Sequence, residues 1–235
     1  MNTPIENLRN VLRSNSDDKT KESGQRFFRE KVNICGIPTA LVEKIGKDFF
    51  KMLDDKSKSN IFSICEELWK SGVLEESFIA CNLSYYIHSE YESADFSVFE
   101  KWVDLYVSNW ASCDTLCNHS VGSLVEMYPD NIAGLKRWAV SDNRWMKRAS
   151  AVSLIIPAKK GMFLEDIFEI AQSLLTDKDD MVQKGYGWML KAASQAHLQE
   201  VYEFVIRYRS IMPRTAYRYA IEKMPADLKA AAMKK

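Results

Sequence analysis

The sequence predicts an all-α protein, an α-α superhelix (solenoid) of HEAT-like helical repeats. Three observations carry this. Apolar residues recur at three- and four-residue spacing in segment after segment, as in Phe49, Phe50, Met52, Leu53 and in Phe62, Ile64, Cys65, Leu68, Trp69. No stretch shows sustained period-two alternation bounded by turn residues, so no strands are predicted. Finally, the segments resemble one another: residues 144–154 superpose on 180–190 at an offset of 36, placing Arg148 on Lys184, Ala149 on Gly185, Val152 on Trp188 and Leu154 on Leu190. Each follows a polar turn, Ser141-Asp142-Asn143 or Asp177-Lys178-Asp179, and the segment around Asp114 fits the scheme at an offset of about 35. A repeat of this length built from helix pairs signals a solenoid.

In chain order, Thr3-Pro4-Ile5-Glu6 is a capping box with proline at the first helical position. Residues 15–21 are polar and read as loop or frayed turn. A helix is expected over 22–33, stopped at Cys35-Gly36-Ile37-Pro38 by glycine followed by proline. Further helices are expected over 39–53, 59–70, 74–87 and 95–107, then one over 108–124. After Tyr128-Pro129-Asp130-Asn131 come 132–140, 143–156, 164–175, 180–193 and 197–209, with Pro213 and Pro225 marking the last starts. Residues 1–235 read as a single HEAT-like repeat domain.

A hydrophobic fraction of 46% and a charged fraction of 27% are those of a soluble globular protein able to bury a core. No uninterrupted apolar run suits a membrane span, and residues 1–10 lack a basic-then-apolar signal pattern. Five scattered cysteines, Cys35, Cys65, Cys81, Cys113 and Cys117, fit reduced buried thiols rather than a disulfide framework, so a cytoplasmic location is expected. Cys113, Cys117 and His119 lack the paired spacing of a zinc site, so no metal is expected. Neither a Walker-type loop nor a dinucleotide-binding glycine pattern is present, which sets nucleotide-cofactor enzymes aside. The zero net charge conceals a segregation: residues 1–135 hold 14 basic against 21 acidic side chains, and residues 136–235 hold 18 against 11. Within 136–160, seven cations face Asp142 alone. The second half is either a polyanion-facing surface or a set of solvated helix faces.

The stretch S-N-W-A-S-C-D (108–114) places Asp114 four residues after Trp110, one turn apart on one helix face. A carboxylate there sits either at a wet edge or beside something cationic. Trp102, Trp138 and Trp145 read as solenoid core. Gly185 and Gly187, costly inside a helix, read as sites of close approach to a neighbouring helix or to DNA.

N-W-A-S-C-D (109–114), R-W-M-K-R-A-S-A-V (144–152) and Q-K-G-Y-G-W-M-L-K (183–191) resemble, in order and spacing, the AlkD-type DNA alkylation repair glycosylases. F-F-R-E-K-V-N-I-C-G-I (27–37) resembles the segment that opens that family, so the resemblance covers nearly the whole chain. It implies a cofactor-independent, monomeric enzyme that excises cationic N3- and N7-alkylated purines from duplex DNA, cytoplasmic or nucleoid-associated. It assigns the catalytic carboxylate to Asp114, the aromatic cleft residues to Trp110 and Trp188, and the phosphate-binding arginine to Arg148. The family's N-terminal tyrosine aligns with Phe27, a substrate-binding position here without its hydroxyl, and an acidic family position is Ala111. Arg144, Lys147 and Lys184 are expected to contact the DNA backbone. The alternative is a non-catalytic helical-repeat module that binds DNA or a protein partner.

Overall fold

Thr3 opens the first helix as its sequence demands: its hydroxyl accepts from the Glu6 amide while Glu6 reaches back to the Thr3 amide. The structure, a computed structural model, describes residues 3–234, and among them the only extended pairing is a single parallel bridge, Asn33 to Val73. The chain divides into two compact units, residues 1–116 and 117–235.

The first unit holds α1 (Pro4–Ser14), α2 (Asp18–Gln25), α3 (Thr39–Met52), α4 (Lys58–Lys70), α5 (Leu74–Tyr86), α6 (Phe96–Leu105) and α7 (Trp110–Leu116). Helix α3 packs on α5 and α5 on α7, so alternate helices form a row, as a helical-repeat array requires. The core is Ile61, Leu68, Ile79, Leu83, Phe99 and Trp102, all fully buried. Glu66 ties α4 to α6 by accepting from Lys101, from the Trp102 indole at 2.7 Å and from the Tyr106 hydroxyl at 2.7 Å. Partial burial pushes the Glu66 carboxyl up, but those three hydrogen bonds outweigh it and bring it down to about 2.

The second unit holds α8 (Gly122–Met127), α9 (Ile132–Ala139), α10 (Arg144–Val152), α11 (Ile155–Lys159), α12 (Leu164–Ser173), α13 (Asp180–Ala193), α14 (Leu198–Tyr208), α15 (Arg214–Ala220) and α16 (Ala226–Met233). Here α10 packs on α13 and α13 on α15, a second row of alternate helices. The repeat seen in sequence holds at the level of single hydrogen bonds. Asn143 caps α10 by accepting from the Trp145 amide, and its own amide donates to Ser141 Oγ. Asp179 caps α13 by accepting from the Met181 amide, and its amide donates to Asp177.

Several expected boundaries differ. Residues 15–21 are not all loop: Asp17 accepts from the Thr20 amide and starts α2 at Asp18. The helix expected over 22–33 ends at Gln25, because the Gln25 side chain turns back onto the Glu30 carbonyl and the Val32 amide and closes the following turn. The helix expected over 108–124 is interrupted by a π-helical turn, Cys117–Val121. The helix expected over 143–156 breaks after Val152, where the Ser153 hydroxyl bonds back to the Ala149 carbonyl and Pro157 follows. Trp102, Trp138 and Trp145 are core residues as expected, 0%, 1% and 7% exposed.

Candidate functional site

Asp114 lies in the first unit on α7, one turn after Trp110, which belongs to an aromatic shelf. Asn109, buried, accepts from the Ser112 amide at 2.9 Å and starts α7 with Trp110 as its first residue. Ala111 is buried against Ile34 and Leu74, and Cys113 is fully buried. Trp110 and Phe28 pack against the edge of that cluster, and Trp110 and Asp114, one turn apart on the helix, are both half-buried. Phe28 stacks on Trp110, ring centroids 5.6 Å apart at 28°, and the Trp110 indole N–H donates to the Phe27 carbonyl at 3.3 Å. The Phe27 ring itself is 74% exposed. The structure therefore brings the Phe28 ring and the Phe27 carbonyl against Trp110, one helical turn from Asp114.

A buried carboxylate holds that shelf. Glu75, 2% exposed, accepts from three successive amides, Cys35 at 2.9 Å, Gly36 at 2.8 Å and Ile37 at 3.2 Å. The loop can wrap it because Gly36 adopts φ +89°, where an added Cβ would lie 2.3 Å from the Asp17 carbonyl oxygen. Beside it Glu76 takes a bidentate pair from Arg9. Sequence reasoning missed Phe28, Glu75 and Glu76; two adjacent acids opening an otherwise apolar helix were the available signal.

In the second unit, Arg148 is 5% exposed, and its Nη1 donates to the Met181 carbonyl at 2.5 Å. Gly185 makes room for it, since a Cβ there would lie 3.3 Å from Arg148 Cγ. Gly187 serves a different neighbour: its Cβ would lie 2.7 Å from Tyr219 Cβ and 2.8 Å from the Ala216 carbonyl oxygen. Both glycines thus answer to protein neighbours. Trp188 is half-buried on the same helix, one turn from Lys184 and three residues from Gly185.

The cations expected at the DNA backbone all have acidic neighbours. Arg144 pairs with Asp179 at 2.9 Å, Lys147 with Asp177 at 2.9 Å and Lys184 with Asp180 at 2.7 Å. Lys136 pairs with Asp166 at 2.8 Å and Lys160 with Glu126 at 2.6 Å. The run that faces one acid in sequence is thus largely compensated in space, mostly by acids some 30 residues away that the repeat brings alongside.

Among the described residues no group of three His, Cys, Asp or Glu side chains could hold a metal ion, and no helix is long and apolar enough to cross a membrane. Comparison with curated proteins finds no match. Among solved structures, the chain is similar to a predicted DNA alkylation repair enzyme from Enterococcus faecalis, at 16% identity and a TM-score of 0.78, over 90% of this chain and 97% of that one. That likeness shows a shared all-α fold of helical repeats. The model of the DNA alkylation repair enzyme family matches residues 8–224, and the chain accordingly belongs to that family.

Proposed function

We propose that this protein is a DNA glycosylase that releases cationic N3- and N7-alkylpurines from duplex DNA without a cofactor. One observation carries the reading: a half-buried Asp114 one helical turn from Trp110, on a helix whose other side is locked into the core. The reaction suits these groups. An alkylated purine already bears positive charge, so it leaves without a general acid. What remains is to stabilise an oxocarbenium-like sugar and position a water, which an ionised carboxylate does. Trp110 and Trp188 offer π faces to the cationic nucleotide, each worth about 0.5–2 kcal/mol. Arg148 supplies the backbone phosphate contact and Phe27 a ring at the substrate, with Arg144, Lys147 and Lys184 contributing positive potential along the strand. The protein acts as a monomer, in the cytoplasm or at the nucleoid.

The test is base release from duplex DNA carrying a single N7-methylguanine. Asp114→Asn removes the charge while nearly preserving shape, and lowers the rate by at least about 100-fold, the scale of losing one electrostatic contact to the transition state. Release at the spontaneous rate by the wild type, with duplex binding intact, selects the second reading, a non-catalytic DNA-binding module. That reading is favoured by the covering of one Trp110 face by Phe28.

A further inference from the structure

The row of helices in the second unit has a third member that the sequence repeat did not reveal. Helices α10, α13 and α15 begin at Arg144, Asp180 and Arg214, and their fifth residues are Arg148, Lys184 and Arg218. Their buried positions agree in register: Met146, Val182 and Ala216 at the third position, and Ser150, Tyr186 and Ala220 at the seventh. Met181, Gly187 and Ala216 bring these helices close, so the three cations occupy equivalent places on adjacent helices of one row.

Their environments differ. Arg148 is buried on the Met181 carbonyl, and Lys184 is paired with Asp180. Arg214 and Arg218 are exposed, and among the described residues no acid pairs with either. They border a cavity of about 520 Å³ together with Thr215, Tyr219 and Lys229. The acid in its lining, Glu222, is neutralised from α13: Lys191 binds it at 3.0 Å and holds its carboxyl below the usual range. The cavity is therefore cationic, furnished with hydroxyl donors, and open. Exposed arginines beside Thr and Tyr hydroxyls match the groups that contact nucleic-acid backbones. Adjacent packed helices lie roughly 8–10 Å apart, a distance covered by about three base steps of a strand at about 3.4 Å each.

We infer that Arg214 and Arg218, on α15, are a backbone-phosphate site for duplex DNA distinct from the cations already assigned. The inference rests on the proposed DNA substrate and extends its footprint along the helix row. The experiment measures binding of undamaged duplex by fluorescence anisotropy across about 50–200 mM salt, where each phosphate contact contributes a slope of about −0.9 to log K against log salt. The double variant Arg214→Ala/Arg218→Ala is expected to lower the slope magnitude by roughly 2, so that its loss of affinity over that range is roughly tenfold smaller than that of the wild type. Arg214→Lys/Arg218→Lys keeps the charges and restores most of the slope. Removing two charges from α3 by Lys44→Ala/Lys47→Ala leaves it unchanged. A wild-type slope in the α15 double-alanine variant, with duplex binding intact, overturns this site and leaves the proposed function standing. No salt-dependent duplex binding by the wild type overturns both. Should inorganic phosphate raise the melting midpoint of wild type but not of the double variant, while the duplex slopes coincide, the cavity is a small-anion site and the DNA assignment fails.

Discussion

Gly187 shows how a single residue sets the spacing on which the second unit depends. A methyl group there meets Tyr219 Cβ and the Ala216 carbonyl oxygen below any normal contact distance, and neither the Ala216 backbone nor a Cβ can rotate away. Gly187→Ala is therefore expected to destabilise by about 1–3 kcal/mol, despite the better helix propensity of alanine, read as a lowered urea midpoint. Gly185→Ala meets Arg148 Cγ at 3.3 Å and the Arg148 carbonyl oxygen at 3.7 Å, longer contacts than those at Gly187, so its cost should be the smaller of the two. Cys35, half-buried, is the most accessible of the five free thiols. Burial pushes its thiol up first, and the neighbouring Glu75 and Glu76 carboxylates add to the effect, to about 11. With the thiolate disfavoured at neutral pH, native protein should react slowly with iodoacetamide at pH 7 and accelerate steeply toward pH 11. Fast labelling at pH 7 would contradict that environment.

Elements are joined by buried or half-buried carboxylates as much as by apolar faces. Glu75 gathers three amides of the loop that leads from Phe27 and Phe28 to α3. In Glu75→Ala these donors lose a charged acceptor inside the fold, a loss of at least about 3 kcal/mol. The Trp110 fluorescence spectrum should change with it, because the segment stacked on that indole is the one released. Glu66 plays the same part between α4 and α6. Its folded carboxyl lies below its unfolded value, so its contribution is full above about pH 4.5 and is lost as pH falls toward 2. In Glu66→Gln the decline in urea midpoint over that acid range should be shallower than in wild type; parallel declines would remove Glu66 as its source.

At the scale of the whole molecule, charge is divided between the two units: 14 basic against 19 acidic side chains in residues 1–116, and 18 against 13 in residues 117–235. A polyanion should therefore be drawn to the second unit, and substitutions of unpaired cations there should govern the salt dependence of duplex binding. Arg148→Ala is expected to flatten that dependence by about 1 and, because the arginine is buried on a carbonyl, also to cost about 1–3 kcal/mol of stability. Measuring both separates a phosphate contact from a purely internal role. A lowered urea midpoint with an unchanged slope assigns Arg148 to packing alone.

What the sequence determined by itself was everything governed by local periodicity. Helix starts at Pro4, Arg214 and Ala226 follow from backbone chemistry within a few residues, and the common capping of α10 and α13 follows from a repeated polar turn. The buried Trp102, Trp138 and Trp145, and the shared helix face of Trp110 and Asp114, needed no more than a period of 3.6. Tertiary structure decided the rest. The loop closed on Glu75 and the partners of Gly185 and Gly187 depend on residues 29 or more positions away. The charge pattern was the most altered by folding. Arg144 and Lys147 stand in a basic run until the next repeat lays Asp177 and Asp179 beside them, whereas Arg214 and Arg218 meet no such acid among the described residues. Coulomb interactions depend on distance through space, and a repeat of 36 residues places side chains that are remote in sequence within 3 Å.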